Sequence, residues 1–221
     1  MADWVTATAS SFVCRDQLGR HSWASTLAAV SMPPPPFEGE GEFALWHFSE
    51  DPGLGQFVPH VARSSDNPEP LVWAIDTRHS PHFWFPRDCP RGCVWLTEAT
   101  TEEDRARFLC DAGTKRLHVM ETAWAERMTT CRLYVYKLPP NGFVSIGDLA
   151  AGYWVSREPV DALERLEVGN LFQRHADAGI ELRVIPDIWP FWHSVIRSTL
   201  NFSGSRLRNA ARPEPAHPSR S

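Results

Sequence analysis

The chain has no long apolar run, no basic block and no regular array of cysteines, and each absence removes a class of protein. No stretch of about eighteen consecutive apolar residues occurs, so no segment reads as a membrane-spanning helix. The opening Met1-Ala2-Asp3-Trp4 lacks the basic and apolar regions of a secretory leader. The five cysteines are an odd number without framework spacing, which points to reduced thiols and a cytoplasmic location. The net charge of −5, with no basic stretch in the body of the chain, argues against a non-specific nucleic-acid coat. No internal repeat is visible, so solenoid and propeller arrays are set aside.

What the chain does have is apolar bulk. Of 221 residues, 43% are hydrophobic, with ten Trp and twelve Phe, enough for a sizeable core. Residues 1–42 read as a flexible extension that closes on Pro33-Pro34-Pro35-Pro36 and an acidic Gly/Glu spacer. Residues 43–208 read as one domain, and residues 209–221 as a disordered tail. Within the domain, Phe43–Phe48, Gln56–Val58, Leu71–Ile75, Cys93–Leu96, Leu117–Met120, Arg132–Leu138, Gly152–Ser156, Val160–Val168 and Glu181–Ile185 are expected strands. Helices are expected near Ser80, from Thr101 to Gly113, over Glu121–Met128, over Gly169–Gly179 and over Ile188–Leu200. Thr101 opens its helix in a capping-box pattern. Trp189 and Trp192 share one face of the last helix and read as core. Strands interspersed with short helices, without strict alternation, predict an α+β fold with a mixed, twisted or split sheet.

The stretch Leu71–Trp95, LVWAIDTRHSPHFWFPRDCPRGCVW, organises the rest. A buried strand ends at Asp76, and Asp76 or Thr77 can cap a short helix that Pro86 terminates. Two histidines, two cysteines, three arginines and an aspartate then lie from Arg78 to Cys93. His79, His82, Cys89 and Cys93 have the donor types of a zinc staple. The Cys-x-x-x-Cys spacing is looser than a knuckle and Pro90 stiffens it, so no metal is expected. Arg87-Asp88 reads equally as a loop tie or a functional pair, and His47 between Trp46 and Phe48 equally as a satisfied strand histidine.

Four motifs carry a resemblance. They are Trp46-His47-Phe48-Ser49-Glu50-Asp51-Pro52, Pro70-Leu71-Val72-Trp73-Ala74-Ile75-Asp76, Phe85-Pro86-Arg87-Asp88-Cys89-Pro90-Arg91 and Gly152-Tyr153-Trp154-Val155-Ser156-Arg157-Glu158-Pro159-Val160. On these, Leu45–Ala210 resembles an uncharacterised bacterial family of domains of unknown function. The order of pieces is also similar to the ADP-ribosyltransferase-like fold of the rifampin ADP-ribosyltransferases and the tRNA phosphotransferases. The matching pieces are a first strand bearing His47 and Ser49, an aromatic strand bearing Trp73, and Trp154-Val155-Ser156-Arg157-Glu158-Pro159.

That second resemblance implies a transferase-like or nucleotide-binding domain with NAD as cofactor and a small-molecule nucleotide as partner. His47 and Ser49 would hold a ribose, Trp73 or Trp84 would stack on a ring, and Arg87 or Arg157 would meet a phosphate. The resemblance leaves Glu158 or Asp148 as the carboxylate facing the sugar. The chemistry asks for such a set: cleaving a glycosidic bond builds positive charge on the ribose, which a carboxylate stabilises. A binding module using the same cleft without chemistry is the other reading of these residues.

Overall fold

The structure, a computed structural model, describes residues 13–14, 43–62, 67–110, 113–146 and 152–211. The described residues form thirteen strands arranged in three sheets. Strands β1 (Val13–Cys14), β2 (Leu45–Ser49), β3 (Gln56–Phe57), β4 (Val72–Asp76) and β5 (Arg91–Trp95) come first. They are followed by helix α1 (Glu102–Phe108), β6 (Arg116–Glu121), α2 (Ala125–Thr130), β7 (Tyr134–Leu138) and β8 (Val144–Ser145). The chain continues through β9 (Tyr153–Ser156), β10 (Val160–Asp161), β11 (Glu164–Glu167), α3 (Leu171–Asp177), β12 (Glu181–Ile185), α4 (Trp189–Val195) and β13 (Asn201–Ser205). One sheet has six strands in the order β11-β7-β2-β4-β9-β8, and another has five in the order β1-β13-β5-β6-β12. β3 and β10 form a two-stranded ribbon. The β6–β12 pair is parallel, and the other pairs are antiparallel. This is the expected α+β class, with several sheets and few, short helices.

The two large sheets meet through the side chains that alternation sends inward. Leu71, Ile75, Tyr153 and Val155 of one sheet pack with Trp95 of the other. Val72, Ala74, Tyr136 and Trp154 point the opposite way, into a second core. Arg91–Trp95 is buried along its whole length, which is why it reads in sequence as an unpatterned run.

Several expected elements differ. The short helix near Ser80 is a single 3₁₀ turn, Ser80–Phe83, with Pro81 inside it. The strand expected over Val160–Val168 is two strands, β10 and β11, which pair with different partners. The helix from Thr101 ends at Phe108, where Leu109 turns extended; Thr101 Oγ1 does accept from Asp104 N, as the capping pattern requires.

The C-terminal helix stops at Val195, and Asn201–Ser205, to which the sequence assigns no element, is a fully buried strand. Its small polar residues hide it, and packing explains them. Gly204 lies opposite Gly92 in the β13–β5 register. A Cβ at Gly204 would overlap Trp192, and one at Gly92 would overlap Phe191. The paired glycines form a furrow in which the two α4 aromatics lie.

Candidate functional site

The central feature is a parting of two strands. β2 and β4 pair only through Leu45↔Asp76 and Trp46↔Ile75. β2 stays paired with β7 over five residues, and β4 with β9 over four. Beyond Trp46 the ladder stops, and the His47 imidazole takes over: its Nδ1 lies 2.9 Å from the Trp73 carbonyl. A carbonyl only accepts, so Nδ1 carries the proton and Nε2 keeps a lone pair. Burial holds His47 down to about 4, so the ring is neutral at pH 7.

A cleft of about 760 Å³ opens at this parting. His47, Trp73, Trp46 and Phe48 line it from the two strands. Phe83, Phe85 and Tyr153 add aromatic surface, and Phe48 stacks on Phe83 with ring centroids 6.0 Å apart. Among the described residues, four arginines also line it, Arg87, Arg91, Arg206 and Arg208, against one acid, Asp88. A chain of net charge −5 thus concentrates positive charge in one concavity.

The arginines are placed by specific bonds. Arg91 is buried; its Nε donates to the His82 carbonyl at 2.7 Å and its Nη1 to the Cys89 carbonyl at 3.0 Å. Its guanidinium lies over Phe83 and Phe85, with CZ 5.1 and 5.4 Å from the two ring centroids. No carboxylate among the described residues forms an ion pair with it. Arg206 Nε donates to the Arg87 carbonyl at 3.2 Å, and Asn209 Nδ2 to the Asp88 carbonyl at 2.7 Å. These bonds dock the C-terminal turn Leu207–Asn209 against the Arg87-Asp88 turn.

The residues expected at a site therefore divide. His47, Trp73 and Arg87 come together in the cleft. Ser49 is buried, and its Oγ accepts from Asp51 N at 3.1 Å, tying the turn after β2. Trp84 is buried on the far side, where its ring meets His175 and the Arg174 guanidinium. Arg157 is exposed and paired with Glu69 at 2.5 Å. Glu158 is exposed, its backbone N and O both bonded to Ser156 Oγ at 3.1 Å. Neither Arg157 nor Glu158 lines the cleft. Asp148 lies outside the described residues. Tyr153 sits in the fourth motif with no role assigned to it there, and Arg206 and Arg208 had no motif to announce them. Arg206 and Arg208 sit at the edge of what reads as a tail.

Beside the cleft lies a closed polar core. His79 Nδ1 is 2.8 Å from Asp76 Oδ1, which also accepts from His79 N at 2.9 Å. Gly152 makes room for this: it adopts φ +71, and any Cβ there would overlap the His79 ring. His175 Nδ1 donates to the Leu171 carbonyl at 2.7 Å, so its Nε2 accepts. His118 Nδ1 lies 3.0 Å from that nitrogen and donates to it.

His82 lies against Trp95, ring centroids 4.7 Å apart, with both ring nitrogens buried and unbonded. Burial, then the neighbouring His118, holds His82 well below its ordinary range; burial, then His175, does the same for His118. Cys89 and Cys93 pack instead with Met120, Met128 and Leu133, and burial pushes both thiols up to about 12. Among the described residues no three His, Cys, Asp or Glu side chains are placed to share a metal ion. His79, His82, Cys89 and Cys93 thus do not gather into one ligand set.

No helix of the described residues is long and apolar enough to cross a membrane. No curated protein and no solved structure matches the chain. A family model matches residues 46–210, which hold both sides of the cleft and all four motifs: the chain belongs to a family of unknown function, DUF6886.

Proposed function

We propose that the cleft between β2 and β4 binds a nucleotide of the NAD or ADP-ribose kind, on a scaffold resembling the ADP-ribosyltransferases. The observation that carries this is the parting of the strands around His47. The imidazole is locked as the Nδ1–H tautomer by the Trp73 carbonyl, which leaves Nε2 to accept from a sugar hydroxyl. Trp73, Tyr153 and Phe83 offer flat apolar surface to a base or nicotinamide ring. The arginines supply charge for phosphates. In a transfer reaction a carboxylate would face the developing charge on the ribose. Asp148 remains the proposed carboxylate on the strength of the resemblance.

Capture of the nucleotide without transfer is the second reading, and one observation favours it. Among the described residues Asp88 is the acid lining the cleft, and it leans on Arg206 at 3.8 Å. Titration calorimetry with NAD and ADP-ribose tests the common claim. His47→Ala should weaken binding by about ten- to a hundredfold, the usual effect of losing one such bond, in a protein that stays folded. No binding by the natural chain at millimolar nucleotide overturns the reading. Release of nicotinamide from NAD separates transfer from capture.

A further inference from the structure

Arg91 is a buried cation with which no carboxylate of the described residues forms an ion pair. It is 3% exposed, lines the cleft, and satisfies two of its N–H groups on backbone carbonyls. Among the described residues none accepts from its Nη2, and no carboxylate pairs with it. A buried charge left in this state is unfavourable unless something of opposite sign arrives.

Arg206, partly buried, is a second cation at this wall, and its Nε lies 3.8 Å from Asp88 Oδ1. Its backbone is left-handed, φ 58 and ψ 21, the one non-glycine residue among those described with positive φ. A side chain with Cβ is disfavoured there, and such strain collects where function holds it. The conformation aims the chain so that Nε bonds the Arg87 carbonyl, while no described residue accepts from either terminal amino group. Burial first, and the Arg91 charge next, bring its pKa down to about 10. Two cations are thus held close enough to repel, at the wall of one cleft, and among the described residues lining it Asp88 is the acid that offsets them.

We infer that Arg91 and Arg206, brought together by the docking of the C-terminal turn on the Arg87-Asp88 turn, form an anion subsite that takes a phosphate or pyrophosphate group. The deep member is fixed by carbonyl bonds and aromatic stacking, and the outer member is fixed by the strained turn. An anion between them removes the repulsion and completes the donors that the protein leaves open. Arg208 and Arg87 lie further out and set the surrounding field. The inference rests on the nucleotide reading for its natural ligand, but its chemistry does not depend on a base or a ribose.

Inorganic pyrophosphate is the probe that separates the two. Calorimetry and thermal unfolding would be run on the full chain with pyrophosphate, with ADP-ribose and with adenosine, at low and moderate salt. Arg206→Gly is the decisive variant, because glycine suits the left-handed backbone and removes one of two repelling cations. Its unfolding temperature should be unchanged or higher, while pyrophosphate affinity falls at least tenfold. Arg91→Met should lose pyrophosphate by a similar or larger factor. If that variant fails to fold, Arg206→Gly decides alone.

Adenosine affinity should be the same in the natural chain and in Arg206→Gly. Pyrophosphate that does not bind the natural chain at millimolar concentration, or that binds Arg206→Gly equally well, overturns the subsite. Pyrophosphate binding that needs Arg206, with no binding of ADP-ribose, keeps the subsite and overturns the nucleotide reading.

Discussion

Two neighbouring regions use the same residue type in opposite ways. In the closed core, His79, His82, His118 and His175 are buried and turned toward each other, Asp76 or a backbone carbonyl, and burial keeps the last three neutral. In the cleft, His47 is neutral too, but it stands at a broken ladder with one nitrogen left open. The first arrangement completes itself apart from a few orphaned nitrogens, whereas the second ends in open donors and acceptors. What separates a structural histidine from a site histidine here is the surroundings. Arg91, with which no described carboxylate pairs, and flat aromatic walls accompany His47, and packed rings accompany the others.

The comparison breaks first at Trp95, if it breaks at all. That side chain is 1% exposed and joins the two sheets beside His79 and His82. Trp95→Ala should lower stability by about 3–5 kcal/mol, as for other buried aromatics cut to alanine, when read by urea unfolding. His47→Ala should leave most of that stability in place. Equal losses at both would mean that the two regions are one core.

Acid should act next. Burial keeps His47 and His175 down to about 4, and His82 and His118 well below their ordinary range. The unfolded chain therefore takes up protons first as the pH falls below about 6.5, the ordinary imidazole value. Stability is complete above that pH and is lost progressively toward pH 4. Unfolding temperatures between pH 7.5 and 4.5 should show the loss. His82→Phe should flatten it, because it removes two orphaned nitrogens and one depressed imidazole. At pH 7 its stability should differ from that of the natural chain by less than about 1.5 kcal/mol, as for a swap of similar volume. An unchanged acid limb in that variant would place the proton uptake elsewhere.

The smallest effect is expected at Arg157. Its pair with Glu69 is exposed, 57% and 36% on the two side chains. Arg157→Ala should alter stability by less than about 1 kcal/mol and leave nucleotide affinity unmoved. A tenfold loss of affinity would show that the cleft reaches further toward β9 than its lining residues indicate.

Much of this arrangement was readable before any coordinates. The β4 run Val72–Asp76 and the alternating β7 are nearly where periodicity puts them, because each has a buried face with a clear pattern. His47, Trp73 and Arg87 sit in motifs dense enough to attract notice. β13 was not readable, since Asn201, Ser203, Gly204 and Ser205 are small or polar in sequence, and Gly204 is there to make room for Trp192 of α4. Arg206 was missed for a related reason. Its meaning lies in a left-handed backbone and in a neighbour 119 positions earlier, and a local reading holds neither.

The strand parting has a mechanical consequence. The six-stranded sheet is two leaves of three strands, β11-β7-β2 and β4-β9-β8. Between them run two rungs, Leu45↔Asp76 and Trp46↔Ile75, then the His47 tether to the Trp73 carbonyl. One rivet reinforces the seam: the Thr77 hydroxyl, which accepts from Ala44 N at 2.9 Å and Trp46 Nε1 at 3.0 Å. Each leaf is internally stitched by four or five rungs at β2–β7 and β4–β9. Pulled apart between β7 and β9, the sheet gives way first along this seam, and the β2–β7 and β4–β9 ladders on either side stay whole.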